Sequence, residues 1–251
     1  VLALLGEAAE GRAWHEPEMA AARPMLDAQA QMSALPRPGR LLVEQHRSRE
    51  GHHLWLYPFA GRLAHMGLAS VLAWRLARGQ PNTFSLAVND HGLELLSAEP
   101  VDLDEARLRA ALSPEHLADD ILASLNAGEL ALRRFREIAR VAGLLFTGYP
   151  GQAKSARQLQ ASSGLYYEVF KQHDPDNRLL QQAQREVLSQ ELELARLQHT
   201  LQRLQGHAID WVVLPRPSPF SLPLMVERLR ERLSTEKLSD RVARALKAMG
   251  A

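Results

Sequence analysis

The residues that first suggest chemistry form a near match to a nucleotide-binding loop at residues 148–155. Gly148 stands at the distance from Lys154 and Ser155 that the P-loop motif G-x-x-x-x-G-K-[ST] requires. In such a loop, backbone amides and the lysine contact phosphate while the hydroxyl binds Mg²⁺. An apolar run at 141–146 precedes the loop and a helix-like stretch follows Ser155, so the sequence predicts a strand, a loop and a helix in that order.

Two residues and one missing partner argue against an ATP site in this loop. Ala153 places a methyl group where the motif has glycine, and Pro150 removes a backbone N–H that would face phosphate. A hydrolase also needs a metal-binding acid after the loop. The candidate pair Asp104 and Glu105 comes before it and is typical of an acidic helix start. An ATPase with a degenerate P-loop therefore remains only as the enzymatic alternative.

A weaker function for the same loop is anion binding. Lys154, Ser155 and the first amides of the following helix would favour an anion such as phosphate, and Arg157 lies two residues further on. The plainer alternative is a glycine-containing turn with a solvated lysine.

The segment upstream adds positive charge to this region. Residues 129–141 predict an amphipathic helix with arginines on one face, and residues 126–160 contain six basic and two acidic residues, a net charge of +4. Residues 99–120 have seven acids and two arginines, a net charge of −5. We therefore predict a phosphate-facing surface that includes Arg133, Arg136, Arg140, Lys154, Ser155 and Arg157. The alternative is a solvated helix face on which Glu129 pairs with Arg133.

Composition limits what the whole chain can do. The 251 residues carry a net charge of +1, so any polyanion binding must come from a local patch. There is no cysteine, which excludes disulfides and thiolate metal sites and fits a reducing, cytoplasmic location. No apolar run approaches the roughly 18 residues of a membrane span, so a membrane partner is not expected. The opening residues 1–5 resemble a helix cut midway, which suggests a fragment of a longer protein.

Periodicity predicts an α+β chain that folds as one domain over residues 1–251. Two hairpins form a β-rich core at 40–97, with a buried helix between them, glycine in both turns and a glycine bulge ending the second turn; residues 102–251 are mainly helical. The predicted elements in the first part are a helix at Met19–Met32, strands at Arg40–Arg47 and His52–Tyr57, a helix at Gly61–Arg78, and strands at Thr83–Val88 and Leu93–Ser97. In the second part they are a strand at Trp211–Leu214 and helices at Leu224–Leu233 and Thr235–Met249.

One long helix is predicted over residues 177–205, starting at the N-cap and proline signal of 174–176. Within it, leucine or valine recurs every seven residues at Leu180, Val187, Leu194 and Leu201. This seam would pack on the chain's own domain, because further leucines widen the apolar stripe. The competing hypothesis is a protein–protein interaction or oligomerisation module that uses this helix.

The first hairpin contains a second basic cluster. Arg47 and Arg49 are candidates for a further phosphate-contacting patch. A metal site is not expected there, because the adjacent His52 and His53 must point to opposite faces of a strand. Four tryptophans could stack on bases: Trp14, Trp55, Trp74 and Trp211. Trp55 and Trp74 have apolar neighbours, which is typical of core residues.

Five segments together resemble the C-terminal DEAD/H-associated region of Lhr-type superfamily 2 helicases. The similarity is strongest to the bacterial subgroup associated with a DNA ligase, and it covers about residues 18–250. The segments that carry it are Glu44–Phe59, Phe84–Leu96, Phe135–Gly148, Lys154–Gly164 and Asp174–Asn177.

The resemblance implies an accessory domain within a longer protein. That parent would be an ATP-dependent 3′-to-5′ DNA helicase and translocase in DNA repair, with RecA-like motor domains and a winged-helix domain upstream. The implied fold is an antiparallel, barrel-like β core with packed helices that contacts the tracked strand of single-stranded or 3′-tailed DNA. Motor motifs are absent here, so the chain itself is expected to be non-catalytic, with no cofactor of its own. ATP and Mg²⁺ would belong to the motor domains.

Overall fold

A computed structural model describes residues 1–12, 15–145, 148–149, 152–153, 155–191 and 193–231. Its main sheet has five strands in the order β3-β4-β2-β1-β7, and a separate two-residue pair joins β5 to β6. The strands are β1 (Arg40–Ser48), β2 (Gly51–Leu56), β3 (Phe84–Val88), β4 (Leu93–Ser97), β5 (Gly148–Tyr149), β6 (Gln152–Ala153) and β7 (Ala208–Val213).

Helices cover both faces of the sheet and make up most of the second half of the described chain. They are α1 (Leu2–Ala9), α2 (Pro17–Met32), α3 (Arg62–Gly79), α4 (Glu105–Ala111), α5 (Leu117–Ala123), α6 (Leu125–Val141), α7 (Ala156–His173), α8 (Arg178–Glu186), α9 (Leu194–Gln205) and α10 (Ser221–Glu231). A π-helical turn, Val187–Glu191, follows α8. None of the helices in these described ranges is long and apolar enough to cross a membrane.

Alternation of side chains along β1 separates two cores. Leu41 and Val43 join the larger cluster, which contains the buried face of α3, whereas Leu42 packs with Trp55 and Leu224 on the other face. Both faces of β1 are therefore covered, which explains its nearly continuous apolar sequence. The sheet is a middle layer between α3 and α10.

The α+β class and both hairpins are confirmed, but two details of the predicted β core differ. β7 pairs with β1 in parallel, so the expectation of a wholly antiparallel core is wrong at this strand. The described strands form an open sheet and not a closed barrel, so the barrel-like arrangement is not confirmed. Residues 208–213 lie far from β1 in sequence, and local patterns carry no information about that pairing.

The single long helix predicted at 177–205 is wrong. Asn177, and not the acid at 174, caps the first segment, its side chain accepting from Leu179 N at 3.0 Å. After the π-helical turn the chain breaks at Glu193, which has a left-handed φ of 44° and precedes α9. The predicted seam is nevertheless real as a buried stripe, since Leu180, Val187 and Leu201 are fully covered by the chain's own core.

Glycines in the two hairpins meet different requirements. Gly51 has a φ of 137°, and a Cβ there would lie 2.2 Å from the carbonyl oxygen of Ser97. Gly92 does not have a positive φ, so the predicted glycine bulge is wrong. Glycine is needed at position 92 because a larger residue would not fit: its Cβ would lie 2.6 Å from the carbonyl oxygen of Leu56.

Candidate nucleic-acid interface

α6 and α7 form an antiparallel pair held by aromatic rings. The ring of Phe135 lies 5.5 Å from that of Tyr167 and 5.9 Å from that of Phe170. These contacts lie about two turns before the end of α6 and several turns after the start of α7. The antiparallel arrangement therefore places Arg140 and Ser155 at the same end of the pair.

The arginines of α6 differ in their surroundings. Arg136 is half-buried and donates from Nε to Ser163 Oγ at 3.1 Å, so a neutral group holds this guanidinium, and no carboxylate of the described residues pairs with it. Arg140 is exposed in the last turn, without a carboxylate partner among the described residues. Arg133 is exposed and already interacts within the chain, and Arg134 pairs with a glutamate one turn away. Of the three arginines predicted to lie on one face of this helix, Arg133 and Arg140 are exposed and Arg136 is half-buried, and their contact with phosphate stays a prediction.

Ser155 is the N-cap of α7 within a capping box. Its hydroxyl accepts from Gln158 N at 3.3 Å, and its own N–H donates to Gln158 Oε1 at 3.0 Å. Two donors that could have faced an anion are therefore used inside the helix. Arg157 belongs to the first turn of α7, while Lys154 and the side chain of Arg157 lie outside the described part of the structure.

The loop that resembles a P-loop has an unexpected backbone conformation. Gly148 pairs with Ala153, and Tyr149 with Gln152, in an antiparallel register. The predicted strand over 141–146 is also wrong, since α6 continues to its last residue at 141 and a turn follows. The strand-to-loop-to-helix order of the motif is therefore not present in the described residues, and residue 146 lies outside them.

The second predicted patch lies at the tip of the first hairpin. Arg47 and Arg49 are both exposed, and Arg47 lies opposite His52 in the β1–β2 register. Arg47 and His52 line a shallow cavity of about 180 Å³ that also includes Gln45 and Val213. Among the described residues no group of three histidines and acids could hold a metal ion.

A buried ionic network, missed by sequence reasoning, holds this hairpin. Glu94 is fully buried and accepts from His53 Nδ1 at 2.7 Å and from Arg228 Nε at 3.1 Å. The other His53 nitrogen lies 2.7 Å from Ser48 Oγ, and Arg228 Nη2 donates to Glu50 at 2.6 Å. This network connects the turn that carries Arg49 to α10.

Glu44 anchors a second buried network on the same face of the sheet. It accepts from Gln29 Nε2 at 2.8 Å, Tyr57 OH at 2.8 Å and Ser218 Oγ at 2.7 Å. Burial and the adjacent Glu44 carboxylate raise the pKa of Tyr57 well above its usual value. A single acid inside an apolar strand, as Glu44 and Glu94 both are, was the available sequence signal for these networks.

The aromatic residues divide between core and surface. Trp55 is fully buried as predicted, Trp211 donates to Gln45 Oε1 at 3.1 Å, and Trp14 lies outside the described residues. Tyr166, which the sequence did not single out, is exposed on α7 beside two exposed aliphatic residues, Leu165 and Val169.

Comparison with known proteins identifies the family. A model of the family described as DEAD/H associated matches residues 35–221. The chain belongs to this family. The resemblance to the C-terminal region of Lhr-type helicases is therefore confirmed.

Two curated relatives are similar to this chain over most of its length. The ATP-dependent helicase Lhr-Core protein 2 of Thermococcus barophilus is 26% identical over 201 residues, which is 78% of this chain and 23% of the relative. The ATP-dependent helicase Lhr-Core of Methanocaldococcus jannaschii is 21% identical over 218 residues, which is 87% of this chain and 26% of the relative. The chain thus spans about a quarter of the length of these relatives.

A solved structure shares the fold. The Mycobacterium smegmatis helicase Lhr, in a structure bound to ssDNA and AMP-PNP, matches with a TM-score of 0.70 at 20% sequence identity. The match covers 89% of this chain and 30% of that chain. The DEAD/H-associated fold described above therefore occurs within a longer Lhr helicase.

Proposed function

We propose that this DEAD/H-associated chain is a non-catalytic accessory domain that contacts the DNA strand on which an ATP-dependent helicase moves. The family supports this proposal, as do the relatives named ATP-dependent helicases and the similar structure bound to ssDNA. The parent would be a 3′-to-5′ helicase and translocase in DNA repair, acting in the cytoplasm on single-stranded or 3′-tailed DNA. Its RecA-like domains would bind ATP and Mg²⁺ and, with a winged-helix domain, lie upstream in the same chain.

The observation that carries the proposal is the pair of neighbouring arginines on α6. Arg136 and Arg140 are one turn apart, so their charges repel, and neither has a carboxylate partner in the part of the chain that the structure describes. A DNA phosphate would relieve that repulsion and accept hydrogen bonds from both guanidinium groups.

Other predicted residues extend the same surface. The start of α7 lies at the Arg140 end of the helix pair, so Lys154, Ser155 and Arg157 are proposed to face the same phosphates, with Arg133 beside them. Exposed Tyr166 supplies an aromatic ring on α7 that could stack on a base. Arg47 and Arg49 are proposed as a separate contact at the hairpin tip.

Affinity for a fluorescein-labelled oligothymidine in low salt tests the α6 assignment. We expect Arg136→Ala with Arg140→Ala to weaken binding about tenfold, from about 0.7 kcal/mol for each lost ion pair between an arginine and a phosphate. The charge-matched control is Arg23→Ala with Arg78→Ala, two surface arginines that each lie close to an aspartate. Equal weakening in both double variants would show that only net charge matters and would reject the site.

The competing function, an interaction module built on residues 177–205, loses its main support. Leu180, Val187 and Leu201 are buried in the chain's own core and Leu194 is partly buried against it, so little of the predicted seam is left for a partner. A sedimentation series over a wide concentration range tests this conclusion, and self-association that disappears on substituting exposed residues of α8 or α9 would restore the alternative.

A further inference from the structure

The cavity beside the β1–β2 turn is built by side chains that share one face of the sheet. Gln45 on β1 lies opposite Leu54 on β2 and next to Val213 on β7, and Arg47 lies opposite His52. Residues paired across neighbouring strands in this way point to the same side of a sheet. All five line the cavity of about 180 Å³, so three adjacent strands position its groups.

The floor and walls of this cavity are largely apolar. Leu54 and its cross-strand neighbour Leu95 are buried, and Pro100 and Val101 come from the segment that follows β4. Val213, on the edge strand β7, is 73% exposed. An apolar cavity of about 150 Å³ is large enough to hold a benzene ring. A volume of about 180 Å³ therefore suits a single six-membered ring with its substituents better than the fused rings of a purine.

The polar groups of the cavity are mainly hydrogen-bond donors. Trp211 donates from Nε1 to Gln45 Oε1 at 3.1 Å, so the oxygen of this amide is used and its N–H groups remain. The Arg47 guanidinium has only donors, and among the described residues no acceptor pairs with it. Half-buried His52 beside it likewise makes no hydrogen bond within that part of the chain. A matching ligand therefore presents acceptors on a ring that is otherwise apolar.

A thymine base combines these properties. It has a single six-membered ring, its O4 atom is an acceptor, and its C5-methyl group is apolar. Cytosine has a ring of the same size but carries an amino donor at N4, which would face the donors of Arg47 and Gln45. A phosphate group would satisfy those donors but has no apolar surface to place against Leu54 and Leu95.

We propose that this cavity binds one unstacked thymine of single-stranded DNA, with Arg47 and Gln45 donating to its carbonyl oxygens. The inference rests on the proposed function, because the base is supplied by the DNA strand that the chain contacts. The end of β1 is held in place, since Ser48 Oγ lies 2.7 Å from His53 Nε2 and accepts from Glu50 N at 3.0 Å. A preorganised site of this kind loses little conformational freedom when the base binds.

The affinities of the full chain for fluorescein-labelled oligothymidine and oligodeoxycytidine of equal length test the proposal, because the two have the same phosphates and the same ring size. We expect the parent chain to bind oligothymidine about tenfold more tightly, and Arg47→Ala to reduce this preference to about twofold or less. The charge-matched variant Arg49→Ala, two residues away, should weaken the binding of both oligonucleotides alike and keep the preference at about tenfold.

The outcomes of this experiment separate the inference from the proposed function. Binding of neither oligonucleotide by the parent chain would reject the proposed function and the thymine site with it. Equal binding of both would overturn the thymine site alone. So would an Arg47→Ala variant that weakens both oligonucleotides equally, because Arg47 would then contact phosphate and not a base.

An uncharged variant tests the cavity apart from its arginine. Val101→Phe should fill the cavity and reduce the preference for oligothymidine to about twofold or less, with no change in net charge. The control is Met25→Phe, which adds the same side chain at an exposed position on α2 and should keep the preference unchanged. A preference that persists in Val101→Phe, in a chain that keeps its unfolding temperature, would contradict the proposal.

Photocrosslinking locates the bound base independently of affinity. An oligothymidine in which 5-iodouracil replaces one thymine, at each position in turn, carries iodine in place of the methyl group. We expect cross-links in the tryptic peptide 50–62, which contains His52, or in the peptide 79–107, which contains Val101. Cross-links confined to peptides of α6 and α7 would overturn the proposal.

Discussion

His65 is a buried imidazole whose hydrogen bonds fix its tautomer. Its Nε2 accepts from Ala60 N at 3.0 Å, so Nδ1 carries the proton and donates to the carbonyl oxygen of Asn89 at 2.6 Å. Burial lowers the pKa of His65 to about 4, because the charged form loses its hydration. The sequence could not reveal this role, since His65 resembles any other histidine in an apolar helix.

The His65 environment predicts acid sensitivity. Between pH 6.5 and pH 4, His65 is protonated in the unfolded chain but stays neutral in the folded chain. The free energy of unfolding therefore falls as the pH falls through this range. The expected loss from His65 is about 2 kcal/mol between pH 8 and pH 5. Urea unfolding of the parent chain and of His65→Gln at both pH values measures it, and an equally steep pH dependence in the variant would contradict the assignment.

Gly51 gives a second prediction at the residue scale. Alanine at this position would combine an unfavourable φ of 137° with a Cβ placed 2.2 Å from the Ser97 carbonyl oxygen, so Gly51→Ala should lower the free energy of unfolding by about 1–3 kcal/mol. Gly164 lies in α7, where an added Cβ would meet no atom within 4 Å, so Gly164→Ala should raise stability by about 0.5–1 kcal/mol. Thermal or urea unfolding measures the change in the free energy of unfolding for both variants. An unchanged stability in Gly51→Ala would contradict the close approach of Gly51 to the Ser97 carbonyl oxygen.

At the scale of elements, Glu44 joins three parts of the fold to β1. Glu44→Ala would leave Gln29, Tyr57 and Ser218 without their shared acceptor, and we expect a loss of about 3 kcal/mol or more in the free energy of unfolding. The control is Glu105→Ala, an exposed residue paired with an arginine one turn away, for which about 0.5 kcal/mol or less is expected. Similar losses in the two variants would show that the buried network contributes little.

Local sequence patterns predicted most elements but not their long-range assembly. The hairpins followed from alternation and turn glycines, and α3 followed from its apolar run, because these signals act between neighbouring residues. The parallel position of β7 and the break at Glu193 did not, since each depends on packing against residues distant in sequence. The extended seam at 177–205 shows the difference, because its burial was predicted correctly and its continuity was not.

At the scale of the whole molecule, the proposed DNA contact depends on an uneven distribution of charge in a chain whose net charge is nearly zero. The segment 126–160 supplied the prediction of a basic surface, and the structure adds the antiparallel pairing that places Arg140 and the start of α7 at the same end of the helix pair. The sequence could not show that Ser163 holds Arg136, or that Ser155 uses its hydroxyl in a capping box. The Arg136 contact requires two helices to be packed together, and the capping box requires the exact start of α7.

The salt dependence of single-stranded DNA binding tests the central claim most directly, because it counts phosphate contacts independently of overall affinity. The logarithm of the binding constant is measured against the logarithm of salt concentration for the parent chain, for Arg136→Ala with Arg140→Ala, and for the Arg23→Ala with Arg78→Ala control. We predict that the slope becomes shallower by about 1.4 in the α6 variant, at about 0.7 for each lost phosphate contact, and stays unchanged in the control. Parallel lines for the parent chain and the α6 variant would contradict a phosphate-facing role for this surface.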